Sequence, residues 1–283
     1  VYQLSYPRAQ SLNGGGKVSL EDVLAVLESQ PELFYTLYTR QSEALEISSS
    51  WEAVEDAMEA RKTYANRLRA RVKTRAVIEG KKTTAELKEE LERLLGNKSK
   101  GIKPADSGMA YFLEVETAAE RELGKVLRKS GFYETVFKDI EGVGPKLAAR
   151  FAAAIERIER FAGPRDLSNY AGMLPRGKDG KLPSRRRAGQ NGSQLSRSPG
   201  LNTACFNLQD WMFQYGASTE LGAFMRSEIN EACPCTQEER KHDADLRKRY
   251  SDAVKLARIL MTRRFLEEMV WPRWRAYMEL NGS

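Results

Sequence analysis

The chain has 283 residues, of which 41% are hydrophobic and 30% charged, with a net charge of +7. No run of about 18 apolar residues and no basic stretch followed by an apolar one is present, which argues against a membrane span and against secretion. The length fits one large or two modest domains, and three cysteines make a poor disulfide framework. We therefore expect a cytoplasmic protein, nucleoid-associated if bacterial.

The first residues have no clear period. Val1 to Lys17 end in NGGGK, and we predict an irregular lead-in over residues 1–17. Ser19 is a suitable N-cap for the helix LEDVLAVLES, and Pro31 suits the first turn of a helix PELFYTLYTRQSEALEI. The chain opens at Val1 rather than Met, which leaves open that it is part of a longer protein.

Residues 18–130 are predicted to form a charged helical or coiled-coil region. Apolar residues recur every three or four positions, close to a heptad, with Arg61 interrupting them. A second helix carries Leu87, Leu91 and Leu94, with Gly96 as its C-cap, and MAYFLEVETAAERELGKVLRKSG forms a third. Single helices cannot bury such stripes, so we expect a hairpin or bundle, with self-association through these helices open. The first stripe comprises Trp51, Val54, Met58, Ala65, Leu68 and Val72.

Residues 131–283 are predicted to form a second helical domain. The short helix FYETVFKDI precedes the stretch IEGVGPKLAARFAAAI, and further helices are predicted from about Leu201 to Tyr215 and over ELGAFMRSEINEA. The last helix runs from about Gln237 to Leu280, and Pro272 should kink or break it. Nothing in the chain is a convincing strand except an ambiguous KLP. The predicted fold class is all-α.

Two glycines, a proline and a lysine open the alanine-rich helix of that domain. Gly142 and Gly144 permit a tight turn and a close approach by a partner, and Val143 between them can insert into the core. Pro145 suits the first helical position, where free N–H groups and the helix dipole favour an anion. Lys146 adds positive charge there. The pattern resembles a helix-hairpin-helix motif, which binds the DNA backbone; the alternative is a tight turn between core helices.

Positive charge is concentrated in a loop predicted over residues 176–200. Seven positive residues and one negative residue, Asp179, lie between Arg176 and Arg197, so this segment carries +6 of the net +7. Such a concentration favours a polyanion, with DNA as the first candidate and structured RNA as the second. A solvated loop is the alternative. The positive residues are Arg176, Lys178, Lys181, Arg185, Arg186, Arg187 and Arg197.

The stretch from Ile140 to about Trp211 resembles the C-terminal domain of the bridge-RNA-guided insertion-sequence transposases, the group with a DEDD catalytic domain. The resemblance rests on the hairpin glycines, the pair Arg160-Phe161, and the segment Gly172-Met173-Leu174-Pro175 ahead of the basic loop. It implies a role in DNA transposition or recombination, or descent from a protein with that role.

The same resemblance implies a serine nucleophile soon after the Gly-x-x-Pro segment. The matching place reads RGKDGK, and the nearest serines are Ser184 and Ser193. Three arginines, Arg185 to Arg187, could clamp a phosphate beside them. The metal-binding carboxylates of the family's α/β domain have no counterpart in this sequence, so no metal site and no cofactor are expected. Enzymatic activity stays open.

Two other groups have plainer interpretations. Cys233-Pro-Cys235 and the single histidine, His242, lack the spacing of a common zinc site, and we predict a turn and a surface histidine. Trp271, Trp274 and Tyr277 lie among arginines and could stack on bases, but core packing is the preferred interpretation.

Three hypotheses follow from the sequence. The first is a protein related to insertion-sequence transposases that binds the DNA backbone. The second is an active recombinase that uses a loop serine. The third is a coiled-coil scaffold that does not bind nucleic acid.

Overall fold

The computed structural model describes residues 2–3, 35–36, 42–80, 83–97, 100–174 and 198–281. The helix predicted after Ser19, the basic segment from Arg176 to Arg197, and both candidate serines, Ser184 and Ser193, lie outside the described residues. The chain divides into two compact units, Val1–Glu43 and Ala44–Ser283. The all-α prediction is confirmed, and no helix in the described ranges is long and apolar enough to cross a membrane.

The first unit contains two very short strands. Strand β1 (Tyr2–Gln3) pairs antiparallel with β2 (Tyr35–Thr36). The helix predicted from Pro31 is therefore wrong at Tyr35 and Thr36. Aromatic and β-branched side chains, abundant in LFYTLYT, favour the extended backbone over the helix.

Helices make up most of the described residues after Ser42. The helix α1 begins there, and a 3₁₀ turn (Ile158–Arg160) and a π-helical segment (Phe265–Val270) interrupt the later helices. The helices are α1 (Ser42–Glu79), α2 (Thr84–Leu95), α3 (Ser107–Lys129), α4 (Gly131–Val136), α5 (Pro145–Ile155), α6 (Pro164–Tyr170), α7 (Pro199–Gln214), α8 (Glu220–Ala232), α9 (Gln237–His242), α10 (Ala244–Arg264) and α11 (Trp271–Asn281).

Local capping explains where many of these helices begin and end. Thr83 and Glu86 form a reciprocal capping box at α2, and Gly96 ends that helix with a positive φ of 75°, as predicted. Asp106 caps α3 by accepting a hydrogen bond of 2.8 Å from the Met109 N–H. Thr219 caps α8, which covers the residues predicted for it. These ends depend on neighbours in sequence and are therefore predictable.

The charged helices α1 and α3 contact each other through polar groups as well as apolar ones. The Arg61 guanidinium, which interrupts the apolar stripe of α1, forms an ion pair with Glu116 of α3. The Tyr64 hydroxyl donates to Asp106 at 2.9 Å, and the Tyr64 ring lies 5.1 Å from that of Phe112, centroid to centroid. The predicted packing of these helices is thus present, while the coiled coil itself stays a prediction.

One core connects the charged helices with the later ones. Trp51 of α1 and Leu123 of α3 are buried in the same apolar cluster as Phe151 of α5. Side chains from both sides of residues 130 and 131 share this cluster, and the predicted domain boundary between them stays a prediction. Within the cluster α5 packs along α7, and α8 packs along α10.

The C-terminal aromatic residues belong to this core. Trp274 is 2% exposed, and its ring centroid lies 4.7 Å from that of Phe132 in α4. Tyr277 is also buried, with its ring 5.4 Å from the same phenylalanine. Core packing, the interpretation preferred from sequence, is confirmed for Trp274 and Tyr277.

The last predicted helix is interrupted twice. Asp243 ends α9 and caps α10, with its carboxylate accepting from the N–H groups of Asp245 and Leu246. A π-helical segment precedes Pro272, and the Trp271 N–H donates to the Leu266 carbonyl. Proline has no N–H and its ring crowds the preceding turn, so the wider π-helical turn accommodates it. The prediction of one long helix was therefore wrong at Asp243, while the kink or break predicted at Pro272 stays a prediction.

Candidate nucleic-acid interface

The predicted hairpin joins α4 to α5. Gly142 has a φ of +84°, a backbone conformation that residues other than glycine rarely adopt. The Val143 N–H donates to the Ile140 carbonyl at 3.0 Å and closes the turn. Both apolar side chains of the turn, Ile140 and Val143, are buried. The predicted insertion of Val143 into the core is thus confirmed.

The two glycines of the hairpin have different surroundings. A methyl group in place of the Gly142 hydrogen would lie 2.5 Å from Cζ3 of Trp211 and 2.6 Å from Cε of Met212. The close approach at Gly142 is therefore made by α7 of the same chain. Gly144 has no atom within 4 Å of the corresponding position, apart from its chain neighbours. Only Gly144 leaves room for an external partner.

The N-terminus of α5 has no side-chain cap. Gly144 is the N-cap residue, with extended backbone angles, and Pro145 is the first helical residue. The first intrahelical hydrogen bond runs from the Ala148 N–H to the Gly144 carbonyl at 2.9 Å. The N–H groups of the first turn are not taken by a capping side chain, and the helix dipole favours an anion there.

Lys146, the predicted positive charge of this site, is already paired. Its ammonium forms an ion pair with the Glu120 carboxylate of α3. The side chain of Lys146 is 52% exposed and that of Glu120 is 23% exposed, so water partly screens the pair. An incoming anion would have to compete with Glu120 for this lysine, which the sequence did not reveal.

The alanine-rich helix α5 packs closely against α7. Ala149 and Ala152 are buried, and a methyl group on Gly200 would lie only 3.6 Å from Cβ of Ala154. The start of α7 thus lies at the end of α5, while the end of α7 lies at the hairpin, so the two helices run antiparallel. Because α5 has 11 residues, about 16 Å separate its two ends.

Ser198 is the first described residue after the basic segment. It caps α7 and donates its N–H to the Tyr170 carbonyl at 3.0 Å. Ser198 therefore lies at the end of α5 that is remote from the hairpin. Arg176, Lys181, Arg185, Arg186 and Arg187 belong to that segment, outside the described residues.

The other residues of the resemblance have structural contacts. The Arg160 guanidinium lies 4.4 Å from the centroid of the Tyr170 ring and pairs with Glu156 at 2.9 Å. Gly172 has a φ of +77°, and Met173 after it is buried. The Met173 carbonyl accepts a hydrogen bond of 3.0 Å from Arg263. These residues hold the end of α6 against α10.

The cysteine and histidine side chains do not assemble into a metal site in the described part of the chain. The thiols of Cys233 and Cys235 lie 3.3 Å apart, and His242 is exposed. No group of three or more histidine, cysteine, aspartate or glutamate side chains is arranged for a metal ion in the ranges described.

Two exposed aromatic residues were missed as functional candidates. Trp211 and Tyr215 lie in and just after the last turn of α7, and their side chains remain 37% and 69% exposed. The sequence analysis predicted the helix that carries both residues but assigned neither of them a role. The spacing of four residues between two aromatic residues was the available signal, but it does not distinguish a buried face from an exposed one.

The comparison with known families agrees with the resemblance. Residues 134–198 match the model of the transposase IS116/IS110/IS902 family. This stretch includes the hairpin, α5, α6 and the basic segment. Comparison with curated proteins and with solved structures gave no match. Residues 134–198 are therefore similar to a domain of an insertion-sequence transposase family, and this similarity supports a transposase-related role.

Proposed function

We propose that this domain binds the phosphate backbone of DNA during transposition or recombination. Gly142 to Lys146 would hold one phosphate, and the basic segment from Arg176 to Arg197 would supply further charge. The observation that carries the proposal is the uncapped start of α5 beside the open position at Gly144, within the stretch that matches the transposase family.

The chemistry of the hairpin is that of an anion site. Backbone N–H groups at the start of a helix donate to phosphate oxygens, and the helix dipole adds a favourable field. Lys146 would turn from Glu120 toward the phosphate, and its exposure leaves it room to do so. None of these groups reads a base edge, so we expect binding that is largely independent of sequence.

The strength of binding should depend steeply on salt. Each phosphate that a lysine or arginine neutralises releases counterions, so the logarithm of the affinity falls with the logarithm of the salt concentration. About six such contacts would lower the affinity about a thousandfold between 50 and 200 mM salt. The charge of the basic segment, +6 over residues 176–197, is sufficient for this number.

Fluorescence anisotropy with duplexes of unrelated sequence tests the proposal. We expect similar affinities for all duplexes and a steep salt dependence. Lys146→Ala should reduce the salt slope by about 1. An affinity that does not change with salt concentration would refute the proposal. Tighter binding to structured RNA than to DNA would identify RNA as the ligand.

The ion pair at the hairpin provides a second, matched test. Glu120→Gln removes the carboxylate that competes for Lys146 and should tighten binding about fivefold, from about 1 kcal/mol for two charges in contact near water. Glu122→Gln removes the same charge from the same helix, but Glu122 pairs with Lys125. It should have a smaller effect. Equal effects would show that only the net charge matters and that the hairpin is not the phosphate site.

A further inference from the structure

Two aromatic side chains stand exposed beside the hairpin. Tyr215 is 69% exposed and Trp211 is 37% exposed, whereas Trp51 and Trp274 are buried in the core. Their ring centroids lie 6.4 Å apart, with the ring planes tilted by 49°. They follow each other along one face at the end of α7. Two neighbouring aromatic rings that stay exposed forgo the stabilisation that burial would give, and such an exposed apolar patch often marks a binding site.

Backbone contacts hold the Trp211 ring in place. A methyl group on Gly142 would lie 2.5 Å from Cζ3 of this ring, and one on Gly216 would lie 3.1 Å from the same atom. The ring thus fits between two glycines, one from the hairpin and one from the turn after α7. The ring therefore contacts the backbone of the turn two residues before Gly144, the N-cap residue of α5.

Positive charge lies near the two aromatic rings. Lys146 follows the hairpin, and the Arg226 guanidinium donates to the Phe213 carbonyl at 3.3 Å, in the last turn of α7. Exposed aromatic side chains together with nearby basic ones are the means by which proteins bind unpaired nucleotides, because each base has a face that stacks whatever its identity.

We propose that Trp211 and Tyr215 form a stacking platform for unpaired bases of the nucleic acid whose backbone the hairpin holds. This inference rests on the proposed function and names its substrate class: single-stranded or locally opened nucleic acid, in preference to an intact duplex. Trp211 is the fixed floor of the platform, and Tyr215, the more exposed ring, is the side chain on which a base stacks.

A nucleic-acid occupant fits this surface better than a protein. A stable protein interface buries about 800 Å² on each partner, which two partly exposed rings do not supply. The uncapped start of α5 and the side chains of Lys146 and Arg226 are positive, so they complement the negative phosphates of a nucleic acid whose bases stack on the rings.

Oligonucleotides that differ only in their bases test the platform. A single-stranded oligonucleotide and its abasic counterpart carry the same phosphates, so their affinities differ only through the bases. We expect the full chain to bind the base-containing strand about tenfold more tightly or better. Tyr215→Ala should abolish this preference without changing the affinity for the abasic strand, and Tyr215→Phe should keep it. Tyr215 is chosen because its removal leaves the core intact.

Tryptophan fluorescence gives an independent measurement. Stacking of a base on Trp211 should quench part of the emission, and Trp211→Phe should remove that quenched component while keeping a ring between the two glycines. Equal quenching in the wild type and in Trp211→Phe would overturn the assignment of Trp211.

The outcomes separate this inference from the proposed function. Equal binding of the abasic and base-containing strands, with the salt dependence intact, overturns the platform and leaves backbone binding standing. If the wild-type chain shows no salt-dependent binding to either strand or to duplex DNA, the proposed function itself is overturned. If Tyr215→Ala instead changes the sedimentation of the free protein and leaves the base preference unaltered, the rings belong to a protein interface and the platform is refuted.

Discussion

The same substitution should destabilise the protein at one glycine of the hairpin and leave its stability almost unchanged at the other. Gly142→Ala places a methyl group at a φ of +84° and within 2.7 Å of the Trp211 ring. The backbone conformation costs about 1–2 kcal/mol for an L-residue, and the overpacking adds about 1–3 kcal/mol. Met212 can move its flexible end away, so we take a total of about 3 kcal/mol as the expected loss.

Gly144→Ala is the matched control, two residues away in the same turn. Its backbone is extended, as any residue before proline prefers, and the added methyl group meets no atom. Alanine is a poorer N-cap than glycine, but it also reduces the freedom of the unfolded chain. These effects are small and opposite, so stability should change by no more than about 0.5 kcal/mol.

Thermal unfolding followed by circular dichroism measures both variants. For a unit of this size, about 3 kcal/mol corresponds to a fall in Tm of about 6–12 °C. We expect that fall for Gly142→Ala and almost none for Gly144→Ala. Equal losses in the two variants, or a neutral Gly142→Ala, would refute the argument that Gly142 serves the contact with Trp211. Because Gly144→Ala should fold normally, any loss of its DNA affinity reports on binding alone.

Two further predictions concern groups away from the hairpin. Burial raises the pKa of the Cys205 thiol, so iodoacetamide should modify the half-buried Cys235 in the native protein and reach Cys205 only after denaturation. Mass spectrometry identifies the labelled cysteines. Labelling of Cys205 in the native protein would contradict its burial. Arg61→Ala should lower the free energy of unfolding by about 2–3 kcal/mol, because the buried Glu116 loses its ion-pair partner. Adding Glu116→Gln should restore part of that loss in urea unfolding, and the absence of any recovery would show that the ion pair is not the cause.

Much of the candidate site could be predicted because its signals are local. Gly142 specifies a tight turn, Val143 an apolar side chain that inserts into the core, and Pro145 the start of a helix, and all three act locally. The structure has all three at the predicted residues. The start of α8 after Thr219 was predictable for the same reason, since a capping hydroxyl acts within one turn.

Other features could not be predicted because their causes lie far along the chain. Lys146 pairs with Glu120 on another helix, and no local pattern connects the two residues. Strand β2 depends on pairing with Tyr2 and Gln3, which a helical period near Pro31 does not reveal. The break at Asp243 was missed although its cause, a capping carboxylate, is local.

The sequence by itself determined the all-α class and the tight turn at Gly142, because caps, turns and apolar periods act between close neighbours. It also determined the similarity to an insertion-sequence transposase family over residues 134–198. Only the tertiary structure decided what each hairpin residue does. The antiparallel packing of α5 on α7 brings Trp211 against Gly142 and leaves Gly144 open. The two glycines look equivalent in sequence, and they differ because a helix from elsewhere in the chain occupies the space beside one of them.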